Sequence, residues 1–337
     1  MYISIFLIIF LIISYSLIYK FRHKISTYFK VIDYPNEKRK IHKQPTPKTG
    51  SYSLALVFFT ILILNIFFNI FDSLYNLTLI GSLSIFIIGF LDDKYNLSAS
   101  KKTILISFVT FVLCKYSGYL IIDKFYLFHL DFFFKLENFS IFFTILCVLA
   151  LVNSLNLADG INGLAIGIIF SWLIHISYMY NHNLQPLIYL ILINLLITFY
   201  HNLKGDHFLG DSGSLMLSSF IAFLIITLHN ENKYDPSHIN SAETILILFI
   251  VPILDMLRLF FERLIKRKSP VSADNNHLHH ILSRNFSIIK SLLIYFILIN
   301  IPILISIHTS ISKYYIIFSI IFLYIIIIFY YKNNFKV

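Results

Sequence analysis

Two adjacent carboxylates, Asp92 and Asp93, end the apolar run Ile85 to Leu91. Like charges this close raise one pKa or recruit a cation, which suits proton transfer or metal work; the plain alternative is a charged helix end in water. A second polar cluster, Asn153-Ser-Leu-Asn156-Leu-Ala-Asp159-Gly160-Ile-Asn162-Gly163, is wedged between two apolar segments. Amides and a carboxylate there must be satisfied by something, a ligand or the geometry of a tight helix connection. A third, Gly210-Asp211-Ser-Gly213-Ser214, opens a predicted helix whose free N–H groups attract phosphate. Asp211 would repel phosphate unless a cation such as Mg²⁺ lies between them, so the combination suggests a metal and a diphosphate; Asp and Ser are also ordinary N-cap residues. A fourth, His277-x-His279-His280, follows the basic run Arg263 to Lys268. No Cys accompanies it, and donor imidazoles beside lysines fit anion binding better than a transition metal. Asp255 and Arg258, three apart within an apolar segment, are expected to neutralise each other.

The elements that must position these clusters are membrane helices. Of the 337 residues, 58% are hydrophobic and 13% charged, against about 25% charged in ordinary soluble domains. The expected fold is an all-α polytopic membrane protein, a single domain over 1–337. Eleven apolar runs read as spans: 2–19, 52–70, 77–91, 103–121, 140–155, 163–180, 186–201, 213–228, 243–262, 288–307 and 314–331. The first has no basic n-region or small-residue cleavage site, so it reads as a retained anchor. Cys114 and Cys147 fall inside spans, as small hydrophobes do.

The formal net charge is +10, and its distribution orients the chain. With the N-terminus outside and the C-terminus in the cytoplasm, most of the 27 lysines and arginines fall in inner loops, as the positive-inside rule requires. Every polar cluster then also falls in an inner loop. Loop one carries Asp33-Tyr-Pro-Asn36, His42 and Pro45-Thr-Pro47; loop two opens with Asp92-Asp93; the remaining three clusters fill loops three, four and five. One site assembled from five loops at the cytoplasmic face is the economical reading. The rival is a transporter, which would place its Asp and His residues near the midplane, on broken helices and often in inverted repeats, none of which is visible here.

The residues resemble a known family, the polyprenyl-phosphate N-acetylhexosamine-1-phosphate transferases, from Asp33 to Leu282. Five motifs in order carry the likeness: Asp33-x-Pro-Asn36 with His42 and Pro45-Thr-Pro-x-x-Gly50; Gly89-Phe-Leu-Asp92-Asp93; Asn153-x-x-Asn156-x-x-Asp159-Gly160-x-x-Gly163-Leu164; Phe208-x-Gly-Asp211-x-Gly-Ser214; and His277-x-His279-His280. The resemblance implies a multi-pass enzyme of the bacterial cytoplasmic membrane. Such an enzyme binds a UDP-amino sugar with Mg²⁺, or Mn²⁺, and moves the sugar-1-phosphate onto undecaprenyl phosphate, releasing UMP. It implies Asn156 and Asp211 as metal ligands, Asp92 and Asp93 as the catalytic acidic pair, and Lys102 on the diphosphate. Phe208 would stack on the uracil and Asn162 would bond its edge; Asp159, Asn36, His42 and the histidines His277, His279 and His280 would complete the substrate site.

Two departures stand out. Many bacterial members carry Asp where this chain has Asn162, an amide that can still pair with a uracil edge. Ser51 replaces the second glycine of the Pro-Thr-Pro loop. The Asp-x-Pro-Asn opening is similar to the branch that starts O-antigen, teichoic acid or related glycans, not the peptidoglycan branch. UDP-GlcNAc, UDP-GalNAc and 6-deoxy amino sugars all remain open as donors. Besides its substrates, the chain is expected to meet membrane lipids, no nucleic acid, and a second copy of itself, since relatives often dimerise.

Overall fold

Apolar runs interrupted by Asn, Ser and charged residues fold into a bundle of helices. In the computed structural model the described residues are 2–35, 44–180, 185–232, 237, 239–269 and 275–333. The helices are α1 (Tyr2–Phe29), α2 (Tyr52–Phe68), α3 (Leu74–Tyr95), α4 (Ala99–Tyr116), α5 (Ser140–Ala158), α6 (Leu164–Met179), α7 (Gln185–Leu203), α8 (Gly210–Glu231), α9 (Ala242–Ile265), α10 (Leu278–Asn285), α11 (Ile288–His308) and α12 (Lys313–Asn333). Eight of them are long and apolar enough to cross a membrane, and α2 and α6 are shorter apolar helices. The chain is a polytopic, largely all-α membrane protein. The eleven expected spans overlie the helices other than α10, but α2, α4 and α6 are not among the eight that are long and apolar enough to cross, and the short, amphipathic α10 is an element beyond the expectation.

Two short antiparallel pairs depart from an all-helical expectation. Ile32–Asp33 (β1) pairs with Thr46–Pro47 (β2), and Lys124–Leu127 (β3) with Phe132–Lys135 (β4). The expected span 103–121 correspondingly stops at Tyr116, where a Ser117-capped turn leads into the second pair.

Helix α8 is the axis of the bundle, with nearly its whole length buried. Helix α3 packs against it along two glycines. A Cβ on Gly81 would meet Leu113 Cδ1 at 2.6 Å and Phe223 Cε2 at 2.7 Å, and one on Gly89 would meet the Asp211 carbonyl oxygen and Ser212 Cα at 2.5 Å. Without a strong hydrophobic drive between helices in lipid, such small residues permit close backbone approach. Left-handed Asn96 ends α3 (φ 49°), and Ser98 accepts from Lys101 N–H to start α4. Two residues thus reverse the chain and set Lys102 on the first turn of α4, beside the last turn of α3.

Candidate active site

The apolar run ending at Leu91 marks where hydropathy falls, not where the helix stops. Helix α3 continues to Tyr95, so Asp92 and Asp93 sit on its last turns and not in a loop. Likewise α5 continues to Ala158 and carries Asn153 and Asn156, leaving only Asp159 to Gly163 as connection. His277 is the N-cap position of α10, with His279 and His280 in its first turn.

Asp211, on the first turn of α8, ties three other segments together. Asn156 donates its amide N–H to Asp211 Oδ1 at 2.7 Å and to Ser214 Oγ at 2.9 Å. Lys102 Nζ lies 3.5 Å from Asp211 Oδ2 and 2.6 Å from Asp92 Oδ2. The Asp211 backbone N–H donates to Asp93 Oδ1 at 3.0 Å, and that of Ser212 to Asp93 Oδ2 at 2.9 Å. Lys48 Nζ reaches Asp93 Oδ1 at 3.2 Å.

This arrangement separates the two adjacent carboxylates. Both oxygens of Asp93 are engaged, so it caps α8 from another helix; Leu209, at the N-cap position, offers no side-chain bond. The expectation that the first N–H groups of α8 are open to phosphate is therefore corrected: Asp93 takes two of them. Gly210 permits this closeness, with φ +73° and a Cβ that would fall 2.7 Å from Asp93 Oδ2. Asp92, by contrast, is buried with Lys102 as charge partner and no well-directed hydrogen bond on Oδ2.

The segment before α2 closes the same site. Phe208 N–H donates to the Pro47 carbonyl at 2.8 Å, and Gly50 N–H to the Phe208 carbonyl at 2.9 Å. A Cβ on Gly50 would stand 2.8 Å from that carbonyl oxygen. Ser51, in place of a glycine, shares a 3.1 Å hydrogen bond with Ser212, and it fits because Gly213 lies opposite: a Cβ there would be 2.7 Å from Ser51 Cβ. Burial acts to lower the Lys48 pKa, but Asp93, Asp211 and Asp33 outweigh it and raise the value. Lys48 therefore stays charged.

Loop three joins the histidines to the carboxylates. Gly160 lies so close to His279 Nε2 that any Cβ would collide with it. His279 is 1% exposed, and neither ring nitrogen has a hydrogen-bond partner. Burial, with His280 and His277 adjacent, drives its pKa well below the usual histidine range, so the ring is neutral. Burial and the charges of Asp211 and Asp93 push the Asp159 carboxyl up to about 7, against the pull of Lys48. Asn162 faces Gly205, whose added Cβ would lie 3.8 Å from Asn162 Nδ2. Asn202 anchors this connection, accepting from Gly163 N–H at 2.6 Å and donating to the His207 carbonyl at 3.1 Å.

Asp255 and Arg258 do pair, at 3.0 Å, but mutual neutralisation is only part of their work. Asp255 Oδ2 is 2.8 Å from His277 Nδ1, and its Oδ1 accepts from Leu278 N–H at 3.0 Å and from Tyr324 O–H at 2.7 Å. Arg258 also donates to the Asn276 carbonyl at 2.6 Å. The histidine segment is thus clamped onto α9 and α12. Sequence reasoning missed Lys48, the Asp255–His277 pair and the capping role of Asp93. Their partners lie far along the chain, and no local spacing marks them. Asn36 and His42 fall outside the described residues.

Around Asp211, its own carboxylate, Asp92 and Ser214 offer oxygen, and Asn156, whose amide nitrogen is turned to Asp211, carries a carbonyl oxygen on the same group. That is the chemistry of a hard cation such as Mg²⁺, and Lys102 already shows that a positive charge is held between Asp92 and Asp211. Among the described residues no group of three or more His, Cys, Asp or Glu could by itself hold a metal, so water or substrate oxygens would have to complete any coordination.

A membrane-embedded bundle with carboxylates, lysines and histidines gathered at the ends of α3, α4, α5 and α8 describes a class: multi-pass enzymes that handle charged groups at a membrane boundary. Residues 75–229 match the family model described as glycosyl transferase family 4. The chain is 30% identical over 308 residues to the probable undecaprenyl-phosphate N-acetylglucosaminyl 1-phosphate transferase of Bacillus subtilis (strain 168), spanning 88% of this chain and 83% of that protein. It is 29% identical over 282 residues to the undecaprenyl-phosphate alpha-N-acetylglucosaminyl 1-phosphate transferase of Escherichia coli (strain K12), spanning 78% and 72% respectively. The chain belongs to glycosyl transferase family 4, and it is a membrane transferase.

Proposed function

We propose that this protein transfers an N-acetylhexosamine-1-phosphate from a UDP-amino sugar to undecaprenyl phosphate, releasing UMP and starting a cell-surface glycan such as O-antigen or teichoic acid. The observation that carries this reading is Asp211, one carboxylate bound at once by Asn156 of α5, Lys102 of α4 and, through its N–H, Asp93 of α3. The names of the bacterial relatives favour GlcNAc among the possible sugars.

In the reaction a lipid-phosphate oxygen attacks the β-phosphorus of the nucleotide sugar, the bond from that phosphorus to the bridging oxygen breaks, and UMP departs. Such transfer needs positioning and charge neutralisation more than covalent help from protein. Asn156 and Asp211 would hold Mg²⁺, which neutralises the leaving phosphate when bound. Lys102, beside Asp92 and Asp211, supplies a second positive charge at the same place. Asp92 takes up the proton or holds the lipid phosphate in line, and a phosphate monoester that is already largely ionised, with a second pKa of about 6, asks little of it. Asp93 and Lys48 fix the start of α8, and thereby Asp211. Phe208 and Asn162 serve the uracil; Asp159 and the three histidines serve the sugar and phosphates. Asn36 and His42, outside the described residues, are assigned to substrate binding by the family resemblance alone. We place the site at the cytoplasmic face of the inner membrane, with the N-terminus outside.

The test is UMP release by purified protein given undecaprenyl phosphate, Mg²⁺ and a panel of UDP-amino sugars, with and without EDTA. Release from at least one sugar, dependent on both lipid and metal, is the expected result. Sugar-nucleotide flux across vesicles without UMP would instead make the protein a transporter.

A further inference from the structure

The end of the bundle remote from the site carries a feature the transferase reading does not use. Helix α4 runs from Lys102 at the site to Tyr116, about 20 Å away at 1.5 Å per residue, and the β3–β4 hairpin follows at that far end. Its register puts Phe125 opposite Phe134 and Leu127 opposite Phe132 on one face, and Tyr126 opposite Phe133 on the other.

The Tyr126 side is fastened to the protein. Tyr126 is buried, and its hydroxyl donates to Asp131 at 2.7 Å. His229 of α8 holds the Lys124 carbonyl at 3.0 Å, and Phe128 N–H donates to Glu243 of α9 at 3.2 Å. The opposite side is apolar and open: Phe132 is 53% exposed, Phe134 45% and the turn residue Leu130 62%. Phe125 carries this face onto α5, stacking on Phe134 at 5.2 Å and on Phe143 at 6.0 Å between ring centroids. Phe142, next to Phe143 on that membrane-spanning helix, and Phe139, just before it, are also exposed.

We propose that the open face of this hairpin lies in the lipid interface of the leaflet opposite the active site, as an extension of the lipid-facing flank of α5. Two observations select lipid as the occupant. The face is continuous, ring to ring, with a helix surface that the bilayer covers. It is also built largely of aromatic side chains, which settle at the headgroup level, while both lysines of the hairpin, Lys124 and Lys135, fall on the Tyr126 side. Unpartnered in water, so many adjacent apolar groups would be an aggregation liability. The hairpin thereby anchors the far ends of α4, α5, α8 and α9 at a fixed depth.

The test uses the full-length protein with Phe134→Trp or Phe132→Trp, reconstituted in phosphatidylcholine and phosphatidylglycerol vesicles with or without lipids brominated near the headgroup. Trp172, the single native tryptophan, is fully buried and serves as the unquenched reference. Both variants should keep wild-type transferase turnover, which shows that they are folded. The added emission should be blue-shifted and reduced by about half by brominated lipid, independently of protein density, as expected of a ring at the interface. Water-like emission untouched by brominated lipid would overturn the proposal. So would protection from quenching that grows with protein density, because a second copy would then cover the face. This test does not depend on which sugar or acceptor the enzyme uses.

Discussion

Gly89→Ala tests whether the α3–α8 junction sets the chemistry. The new methyl would sit 2.5 Å from the Asp211 carbonyl oxygen and from Ser212 Cα, whereas ordinary contact starts at 3.4 Å. Both obstructing atoms are backbone and cannot rotate away, so the helices must part by about 0.9 Å or distort. Overpacking of this kind costs about 1–3 kcal/mol, which a large bundle survives. The chemical cost is greater, because Asp92 and Asp93 move with α3 while Asp211 stays with α8. A misplacement near 1 Å lowers turnover by about 10²-fold, and that is the expected loss in UMP release. Gly81→Ala on the same helix seam is the control. Its methyl meets only the side-chain ends of Leu113 and Phe223, so a comparable loss of thermal stability should come with turnover near wild type. Near-normal turnover in Gly89→Ala, or equal losses in both variants, would refute the reasoning.

Asp93→Asn removes one of two acceptor oxygens at the start of α8 and the charge facing Lys48, and should destabilise the folded protein by about 1.5–3 kcal/mol in denaturant unfolding in detergent; an unchanged midpoint would mean Asp93 does not cap α8. Asp159 links stability to pH. Its folded carboxyl keeps a proton up to about 7 while the unfolded group loses it near 3.8, so folded protein binds more protons in that window and stability falls as pH rises through it. Asp159→Asn should make that decline shallower in thermal unfolding from pH 4 to 7, and an unaltered pH profile would contradict the assignment. Asp255→Asn should raise the KM for the UDP-sugar more than it lowers kcat, because it loosens His277 and the start of α10 without touching the Asp211 cluster; a pure kcat effect would place the histidines elsewhere in the mechanism.

Much of this architecture was legible because hydropathy reports burial in lipid directly. Every expected span overlies a helix, and the polar clusters of loops two to five meet, with Lys48 and Pro47 bringing in loop one. What hydropathy could not report was where helices end. Rising polarity places Asp92, Asp93 and Asn156 in loops, yet backbone hydrogen bonding carries α3 and α5 past them. The β3–β4 hairpin was missed for the opposite reason: Phe132-Phe-Phe-Lys135 has no apolar–polar alternation, since one face meets protein and the other is open and apolar. Partners such as Asp255 and His277 are 22 residues apart and joined only by the fold. Ser51, in place of the second glycine of the Pro-Thr-Pro loop, is accommodated by Gly213 and Ser212, which come from another helix.

The most direct measurement follows both products of one reaction. Purified wild-type protein and Asp211→Asn are each given undecaprenyl phosphate, UDP-GlcNAc and Mg²⁺, with UMP and lipid-linked sugar diphosphate quantified together by mass spectrometry. The expected result is equal amounts of UMP and lipid product from the wild type and neither from the folded variant. Undiminished formation of both products by Asp211→Asn would contradict a site centred on that carboxylate.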